Sequence, residues 1–399
     1  MQMHMETMTS RQRIIRTLRR EPVDRMPIDL GGHYSTGISA FAYWHLREYL
    51  GLDTANIWLP DMVQVLAFVD EDIRRRFHCD CVLLHPGWPR LQVWTPRAPY
   101  IFGIPSSAVP QLTVNGEWII SRRNGEQVRQ MCMPEGGYFF DGDWINNWHE
   151  CDDDTLLRCM AHQAKLIYNE SDYATMYIGG FDAFFGNIDF LCQMYTDPQG
   201  VHDINRKKLE SALKKASMVI EAMGEYIQLI EINSDMGMQT GPMCSPSMFE
   251  KFVVPYLSKL CKFIHTHSDY KVFLHSCGSI KPLIPMLIEC GIDVLNPVQV
   301  SAADMDPFEL KAKFGDKLIF WGGGCNTQQV LGRGTTDEVA KDVRRLISAF
   351  KPGGGFVFSQ VHNIMGDVPP ENIVTMLDTA YVESWYTSQK NLPEPSEKL

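Results

Sequence analysis

The tetrapeptide His275-Ser276-Cys277-Gly278 carries the residue types best suited to chemistry in this sequence of 399 residues. It ends the apolar run KVFLHSCG, which is typical of a β-strand. Residues two apart in a strand point to the same side, so His275 and Cys277 would project together. One imidazole and one thiolate on one face supply half of a zinc site. The alternative is a buried cysteine beside a hydrogen-bonded histidine, because the spacing alone is a weak motif.

Two further candidate ligands follow other apolar runs. Cys325 comes directly after KLIFWGGG, and His362 lies near the end of GFVFSQVHN. Three such ligands meeting at one place would leave a coordination position open, as catalytic zinc sites do. The alternative for Cys325 is a buried loop thiol.

Eight apolar runs alternate with helical stretches, which predicts an α/β fold of the (β/α)8 TIM-barrel type. Their nearly continuous apolar character is typical of parallel strands that are buried on both faces. A doubly wound open sheet is the alternative, but no glycine-rich phosphate loop follows the first strand. The predicted strands cover residues 25–32, 79–85, 175–181, 227–235, 271–278, 292–300, 317–324 and 355–363.

Helix signals separate these strands. Thr335 and Glu338 fit a capping box, and Pro246 and Pro370 open two helices. The region 86–150 interrupts the alternation of strands and helices. It consists of short alternating segments rich in aromatic residues, proline and glycine, which predicts a β-rich insertion after the second strand. Further helices are predicted over residues 10–20, 38–51, 60–77, 153–170 and 206–223.

The carboxyl ends of the strands are where a barrel of this type collects its functional residues. At the third and fourth strands, the candidate catalytic residues are Tyr177, Glu231 and Asp235. At the sixth and seventh strands, the candidate cofactor contacts are Asn296, Gln299, Gly322 and Gly323. The glycines have a second interpretation, a tight turn between strand and loop, which we prefer.

The composition is that of an ordinary globular protein, 45% hydrophobic and 21% charged, with a formal net charge of −11. The acidic balance argues against nucleic-acid binding, and no apolar run reaches the ~18 residues of a membrane helix. The eleven cysteines are scattered, and no signal-peptide pattern is visible, so we expect reduced thiols in a cytoplasmic protein. We expect a single barrel domain over residues 1–385, with 86–150 as an insertion or lid, and a polar tail over 386–399.

Five blocks of the sequence, taken in chain order, carry a resemblance to a known family. They are TSRQRIIRTLRREPVDRMPIDLGG, NSDMGMQTGPMCSPSMFEKFVVPYL, FLHSCGSIKPLIPMLIECGIDVLNPVQ, FWGGGCNTQQVLGRGTTDEV and GGGFVFSQVHNIMGDVPPENI. The set resembles the uroporphyrinogen decarboxylase superfamily and, within it, the branch of corrinoid-dependent methyltransferases.

The two branches of that superfamily differ at the residues that bind substrate or metal. The decarboxylases carry an arginine-rich stretch, R-Q-A-G-R, after the first strand, whereas residues 29–39 here are DLGGHYSTGIS, with no arginine for substrate carboxylates. The methyltransferases carry H-x-C-G on the fifth strand, matched by His275 and Cys277. Their third ligand, usually cysteine, corresponds to His362. The resemblance therefore leaves His275/Cys277/His362, which we prefer, or His275/Cys277/Cys325.

The resemblance implies a zinc-dependent methyltransferase. It would transfer a methyl group between a small methylated substrate and a corrinoid cofactor or separate corrinoid protein. Asp235 or Glu231 would supply an oxygen ligand or a carboxylate that orients a histidine. The aromatic residues of the insertion would suit O-demethylation of an aryl methyl ether. Two alternatives stay open: a lyase that acts on a porphyrinogen-like acid through Asp235 and Tyr177 without metal, and a non-catalytic barrel that binds a corrinoid or tetrapyrrole.

Overall fold

A curled parallel sheet forms the centre of the protein, whose computed structural model describes residues 6–124, 127–145 and 148–386. The strands of the described chain are β1 (Leu91–Trp94), β2 (Phe102–Pro105), β3 (Gln111–Leu112), β4 (Trp118–Asn124), β5 (Gln127–Met133), β6 (Asp141–Gly142), β7 (Met176–Tyr177), β8 (Leu229–Asn233), β9 (Lys271–His275), β10 (Val294–Asn296), β11 (Ile319–Trp321) and β12 (Phe356–Val357). The last six pair side by side in chain order. They match the predicted strands three to eight, and each is shorter than predicted.

The first two predicted strands are present as short bridges that close the sheet. Ile28 pairs in parallel with Phe358, beside β12, and Cys81 pairs in parallel with Ala174, ahead of β7. The amide of Asp80 donates to the carbonyl of Ile28 over 2.7 Å, which links the two bridging segments. Parallel segments from all eight predicted positions thus form a ring, and the predicted TIM-barrel-like α/β fold is confirmed.

Helices surround this ring: α1 (Ser10–Leu18), α2 (Ala40–Tyr49), α3 (Glu71–Arg76), α4 (Asp153–Glu170), α5 (Ile188–Thr196), α6 (Pro198–Met223), α7 (Pro246–Phe252), α8 (Val254–His267), α9 (Ile284–Cys290), α10 (Pro307–Phe314), α11 (Thr336–Phe350) and α12 (Pro370–Ser384). The predicted capping box is confirmed, because Thr335 and Glu338 bond reciprocally at the start of α11. None of the helices in the described ranges has both the length and the apolar character of a membrane span.

The helix predicted over residues 60–77 is wrong for its first half. Helical structure is confined to Glu71–Arg76, because the preceding segment turns back on itself. The carboxylate of Asp61 accepts the amide proton of Val63 over 2.7 Å, and Val65 has a left-handed φ of +52°. A carboxylate that accepts a nearby amide proton offers the backbone an alternative to the helix, and a left-handed residue interrupts it.

The region predicted as a β-rich insertion contains two small antiparallel sheets. β1 pairs with β2, and β3 to β6 form a four-stranded sheet. Several of its rings pack inward, since Trp94, Phe102 and Phe140 are buried, and Phe102 meets Phe41 of α2 edge-on at 5.3 Å. A single barrel domain with this insertion as a lid stays a prediction. The predicted tail lies, from residue 387, outside the described residues.

Alternation along the strands decides which side chains enter the barrel. Leu229, Phe273, Val294 and Ile319 share one buried cluster with Ile14 of α1, so the barrel interior is apolar and α1 covers its amino-terminal end. Residues two positions further along the same strands point the same way. These residues form a buried polar layer near the carboxyl ends: Glu231, His275, Asn296 and, as an indole, Trp321.

At the opposite end of the barrel, Glu6 contributes to stability in a pH-dependent way. Burial alone would raise its pKa, but the hydrogen bond from His78 and the charges of Arg25 and Arg13 outweigh this and lower it to about 2. A lowered pKa stabilises the fold above the unfolded value near 4.5, and the contribution is lost as the pH falls toward 2. We expect Glu6→Gln to remove on the order of 2 kcal/mol of this acid-sensitive stability. Urea unfolding at pH 3, 4 and 6 measures it, and identical pH slopes in the two proteins would contradict the expectation.

Candidate metal centre

Two histidines and a cysteine meet at the carboxyl end of the barrel. Among the described residues, His275, Cys277 and His362 each place one donor atom within 4.8 Å of the other two. Cys277 Sγ lies 3.6 Å from His275 Nε2. The rings of His275 and His362 approach edge-on, with 5.6 Å between their centroids. The structure thus brings together the residues of the first of the two predicted ligand sets.

The loop after β9 is held by side chains from neighbouring strand ends. The amide of Cys277 donates to Asp235 Oδ1 over 2.8 Å, and the amide of Gly278 donates to Gln299 Oε1 over 2.8 Å. Gly278 has a φ of +86°, and a Cβ there would lie 2.4 Å from the backbone of Gly237, so only glycine fits. Asp235 and Gln299, selected from the sequence for other roles, therefore set the position of the thiol.

One ring nitrogen of His275 contacts Asn296, and the other faces Cys277. Nδ1 lies 2.9 Å from Asn296 Oδ1. An amide oxygen only accepts, so Nδ1 carries the proton and Nε2 presents its lone pair. Asn296 Nδ2 donates to the carbonyl of Trp321 over 3.1 Å, which determines how the amide is oriented. Burial and the nearby His33 lower the pKa of His275 and favour the neutral ring that a metal requires.

His362 reaches the cluster from an unusual backbone conformation. Its φ of +62° lies in the left-handed region, which residues other than glycine seldom adopt and which is enriched at functional positions. Burial and the neighbouring His275 lower the pKa of His362 to about 4. The imidazole is therefore neutral at pH 7 and available as a ligand.

Cys277 holds its proton when no cation is bound. Burial, and then the negative charge of Asp235, raise the pKa of the Cys277 thiol far above its usual range. A bound metal ion reverses this preference, because a coordinating thiol loses its proton. The Asp235 side chain is 59% exposed, and its Oδ1 lies 3.8 Å from His275 Nε2. Asp235 therefore marks the side on which the cluster meets solvent.

Glu231 is already paired within the barrel and is not a free oxygen ligand. Its Oε1 lies 2.7 Å from Nε2 of His33, and both side chains are 2% exposed. Its Oε2 accepts the amide proton of Gly179 over 2.9 Å. Burial tends to raise the pKa of Glu231, but His33 lowers it overall. His33 belongs to no sequence motif, and the one signal for its role was its place directly after the first predicted strand.

Cys325 is turned away from the cluster, which argues against the second predicted ligand set. Its side chain is fully buried, while its carbonyl accepts the amide proton of Val361 over 2.9 Å. Burial, and then the charge of Asp342 on α11, raise the pKa of the Cys325 thiol well above its usual range. The group of donor atoms found among the described residues does not include this thiol, which agrees with the buried-thiol interpretation.

Tyr177, predicted as a catalytic residue, points out of the barrel. Its neighbour Met176 belongs to the interior cluster, so alternation turns Tyr177 toward the helices. Its ring lies 6.3 Å from that of Phe181. Burial raises the pKa of Tyr177 to about 12, which makes it a poor proton donor at neutral pH.

Gly322 and Gly323 have the geometry of a tight turn between strand and loop. Their φ angles are +90° and +83°, and a Cβ on Gly323 would lie 2.9 Å from Val298. The amide of Gly322 donates to the carbonyl of Val357 over 3.1 Å. The neighbouring strand ends fill the space beside both glycines. The turn interpretation therefore accounts for both glycines, and their predicted cofactor contact stays a prediction.

The fold and the cluster define a class of protein: a TIM-barrel-like α/β protein with nitrogen and sulfur donors at the carboxyl ends of its strands, where such barrels hold their active sites. A family model described as "Uroporphyrinogen decarboxylase (URO-D)" matches residues 182–382, a range that includes all three cluster residues. The chain belongs to the uroporphyrinogen decarboxylase family.

Its similarity to individual members is distant. Uroporphyrinogen decarboxylase from Tolumonas auensis is 22% identical over 395 residues, which covers 94% of this chain and 97% of that protein. The enzyme of the same name from Pseudoalteromonas atlantica is 22% identical over 194 residues, 47% of this chain, so the match spans about half (49%) of that relative's length. A methyltransferase from Methanosarcina mazei has a TM-score of 0.55 at 16% identity, with coverage of 94% and 99% of the two chains. This last likeness shows the fold.

Proposed function

We propose that this protein is a zinc-dependent methyltransferase that transfers a methyl group between a small methylated substrate and a corrinoid cofactor or corrinoid protein. The observation that carries the proposal is the cluster of His275, Cys277 and His362, with donor atoms within 4.8 Å of one another. The methyltransferase from Methanosarcina mazei offers a precedent for methyl transfer on this fold.

The donor set fits zinc in type and in spacing. Imidazole and thiolate are common zinc ligands, and three protein ligands with one open position are typical of a catalytic site. In a tetrahedral site, a Zn–N bond of about 2.0 Å and a Zn–S bond of about 2.3 Å place N and S about 3.5 Å apart. The observed separation of His275 Nε2 and Cys277 Sγ is 3.6 Å. The two ligands therefore need little movement to bind the ion.

The residues around the cluster have separate parts in the proposed reaction. Bound zinc supplies Lewis acidity toward the oxygen or sulfur of a substrate. Asn296 keeps the proton on Nδ1 of His275 and so leaves Nε2 free. Asp235, on the exposed side, is placed to accept a proton from an incoming hydroxyl or thiol. For an aryl methyl ether, the half-exposed rings of Phe139 and Trp144 in the insertion offer apolar surface.

A decarboxylase is the second candidate, because the similar curated proteins are named uroporphyrinogen decarboxylases. Its substrate is a polycarboxylate, which needs cationic partners. The segment 29–39 at the end of the first strand contains no arginine, and a carboxylate, that of Asp235, lies on the exposed side of the cluster, 3.8 Å from His275 Nε2. These charges favour the methyltransferase.

The test begins with the metal content of the protein purified without chelators, where we expect about one zinc ion per chain. The protein is then mixed with cob(I)alamin and a methoxylated arene. The expected products are the free phenol and methylcobalamin. The change in corrinoid absorbance measures their formation. A metal-free protein that also fails to bind added zinc would contradict the proposal, and turnover of uroporphyrinogen would support the decarboxylase instead.

A further inference from the structure

A buried chain of hydrogen bonds runs from Glu231 to the candidate ligand His275. Glu231 Oε1 lies 2.7 Å from Nε2 of His33. Nδ1 of His33 accepts the amide proton of Ser35 over 3.0 Å and lies 2.7 Å from the hydroxyl of the same residue. That hydroxyl donates to Asn296 Oδ1 over 2.5 Å, and the same oxygen accepts Nδ1–H of His275 over 2.9 Å. All five side chains are nearly inaccessible to solvent.

The direction of the bonds at Asn296 follows from chemistry. The carbonyl of Trp321 can only accept, so the nitrogen of the Asn296 amide must face it. The amide oxygen then faces both Ser35 and His275, and each of these must donate to it. A rotated amide would present its nitrogen to His275, and Nδ1 would become the acceptor. The proton would move to Nε2, the atom that faces Cys277, and no lone pair would remain there for a metal ion.

The chain also ties together strand ends that are distant in sequence. His33 and Ser35 follow the first bridging segment, Glu231 lies in β8, and Asn296 ends β10. The far end is anchored, because Glu231 also accepts the amide proton of Gly179 over 2.9 Å. A displacement of Ser35 would therefore remove one of the two donors that hold the oxygen of Asn296 in place.

We propose that Ser35 and His33 are positioning residues for the metal centre. Through Asn296 they hold the ring of His275 in the tautomer and orientation that leave Nε2 free. Glu231 orients His33 from the other side. The inference rests on the metal-binding part of the proposed function. Partners that act through a ligand in this way commonly change metal affinity by about 10- to 100-fold.

The test compares the zinc affinity of Ser35→Ala with that of the wild-type protein, by competition with a chromophoric chelator. We expect the Kd to rise about tenfold and the visible spectrum of the cobalt(II)-loaded protein to change, because His275 is no longer held in one orientation. Ser35→Thr keeps a hydroxyl and is expected to restore both readouts. The matched control is Ser359→Ala, since Ser359 is equally buried and its hydroxyl lies 3.3 Å from Gln360 instead.

A second variant, Glu231→Gln, covers the case in which Ser35→Ala is poorly folded. It is expected to weaken zinc binding as well, and its effect should not add to that of Ser35→Ala if both act through one chain. A folded Ser35→Ala protein with the Kd and cobalt spectrum of the wild type would overturn the inference while leaving the proposed function intact. A wild-type protein that binds neither zinc nor cobalt would overturn the proposed function itself.

Discussion

Replacement of Cys277 by alanine is expected to abolish stoichiometric zinc binding and, with it, methyl transfer. The variant loses one of three protein donors, and its Sγ is the atom 3.6 Å from His275 Nε2. Loss of a direct ligand should exceed the effect of an indirect partner, so we expect zinc affinity to fall by more than about 100-fold. Elemental analysis of the purified variant and chelator competition measure the loss.

The matched control for this variant is Cys325→Ala. Cys325 is fully buried and lies toward α11, so its removal should lower stability through a small cavity and leave the zinc content unchanged. The reverse result, with zinc retained in Cys277→Ala and lost in Cys325→Ala, would contradict the proposed ligand set.

Zinc binding to the wild type should also release about one proton at pH 7, because the pKa of the Cys277 thiol is raised before the ion binds. Cys277→Ala should release none.

Among the proposed substitutions, replacement of Asp80 by asparagine is expected to lower the free energy of unfolding the most. Asp80 is completely buried at the amino ends of the barrel strands, 2.5 Å from Arg13 Nη1 and 2.8 Å from Arg25 Nη1. Its Oδ2 also accepts the amide proton of Ile28 over 2.8 Å. Without the carboxylate, two buried guanidinium groups lose the fully buried counter-charge that they share, which typically costs about 3–5 kcal/mol.

Urea unfolding measures the loss, and Asp378→Asn is the control. Asp378 pairs with Arg76 at 2.6 Å, but both side chains are more than 40% exposed, so this variant should lose less than about 1 kcal/mol. Equal losses in the two variants would show that burial does not distinguish the two ion pairs. A catalytic assay is not needed, because Asp80 lies at the end of the barrel opposite the metal centre.

The sequence was sufficient to predict the elements that depend on local pattern. The apolar runs predicted where the parallel strands of the barrel lie, and the capping box at Thr335 and Glu338 predicted the start of α11. The pair His275 and Cys277 was recognisable because both residues lie on one short segment. Local pattern failed over residues 60–70, where contacts of the Asp61 side chain outweighed an apparent helical periodicity.

The direction of single side chains could not be derived in the same way. A short apolar run does not show which of its alternate residues face the barrel interior. A shift of one residue turns every side chain to the opposite face. Tyr177 and Cys325 were selected because they lie near the ends of strands, yet Tyr177 faces the helices and Cys325 lies outside the cluster. His33 and Ser35 lack a motif, and their role depends on Glu231 and Asn296, which lie about two hundred or more residues away in the chain.

The sequence by itself thus determined the family resemblance, the order of strands and helices, and the local pair His275 and Cys277, because each depends on residues that are neighbours in the chain. The tertiary structure alone decided that His362 and not Cys325 completes the cluster. It also decided that Glu231 is paired with His33 and that Asn296 orients His275. These contacts depend on how the closed sheet brings separate strand ends together, and the angle and register of that closure result from packing of the whole barrel.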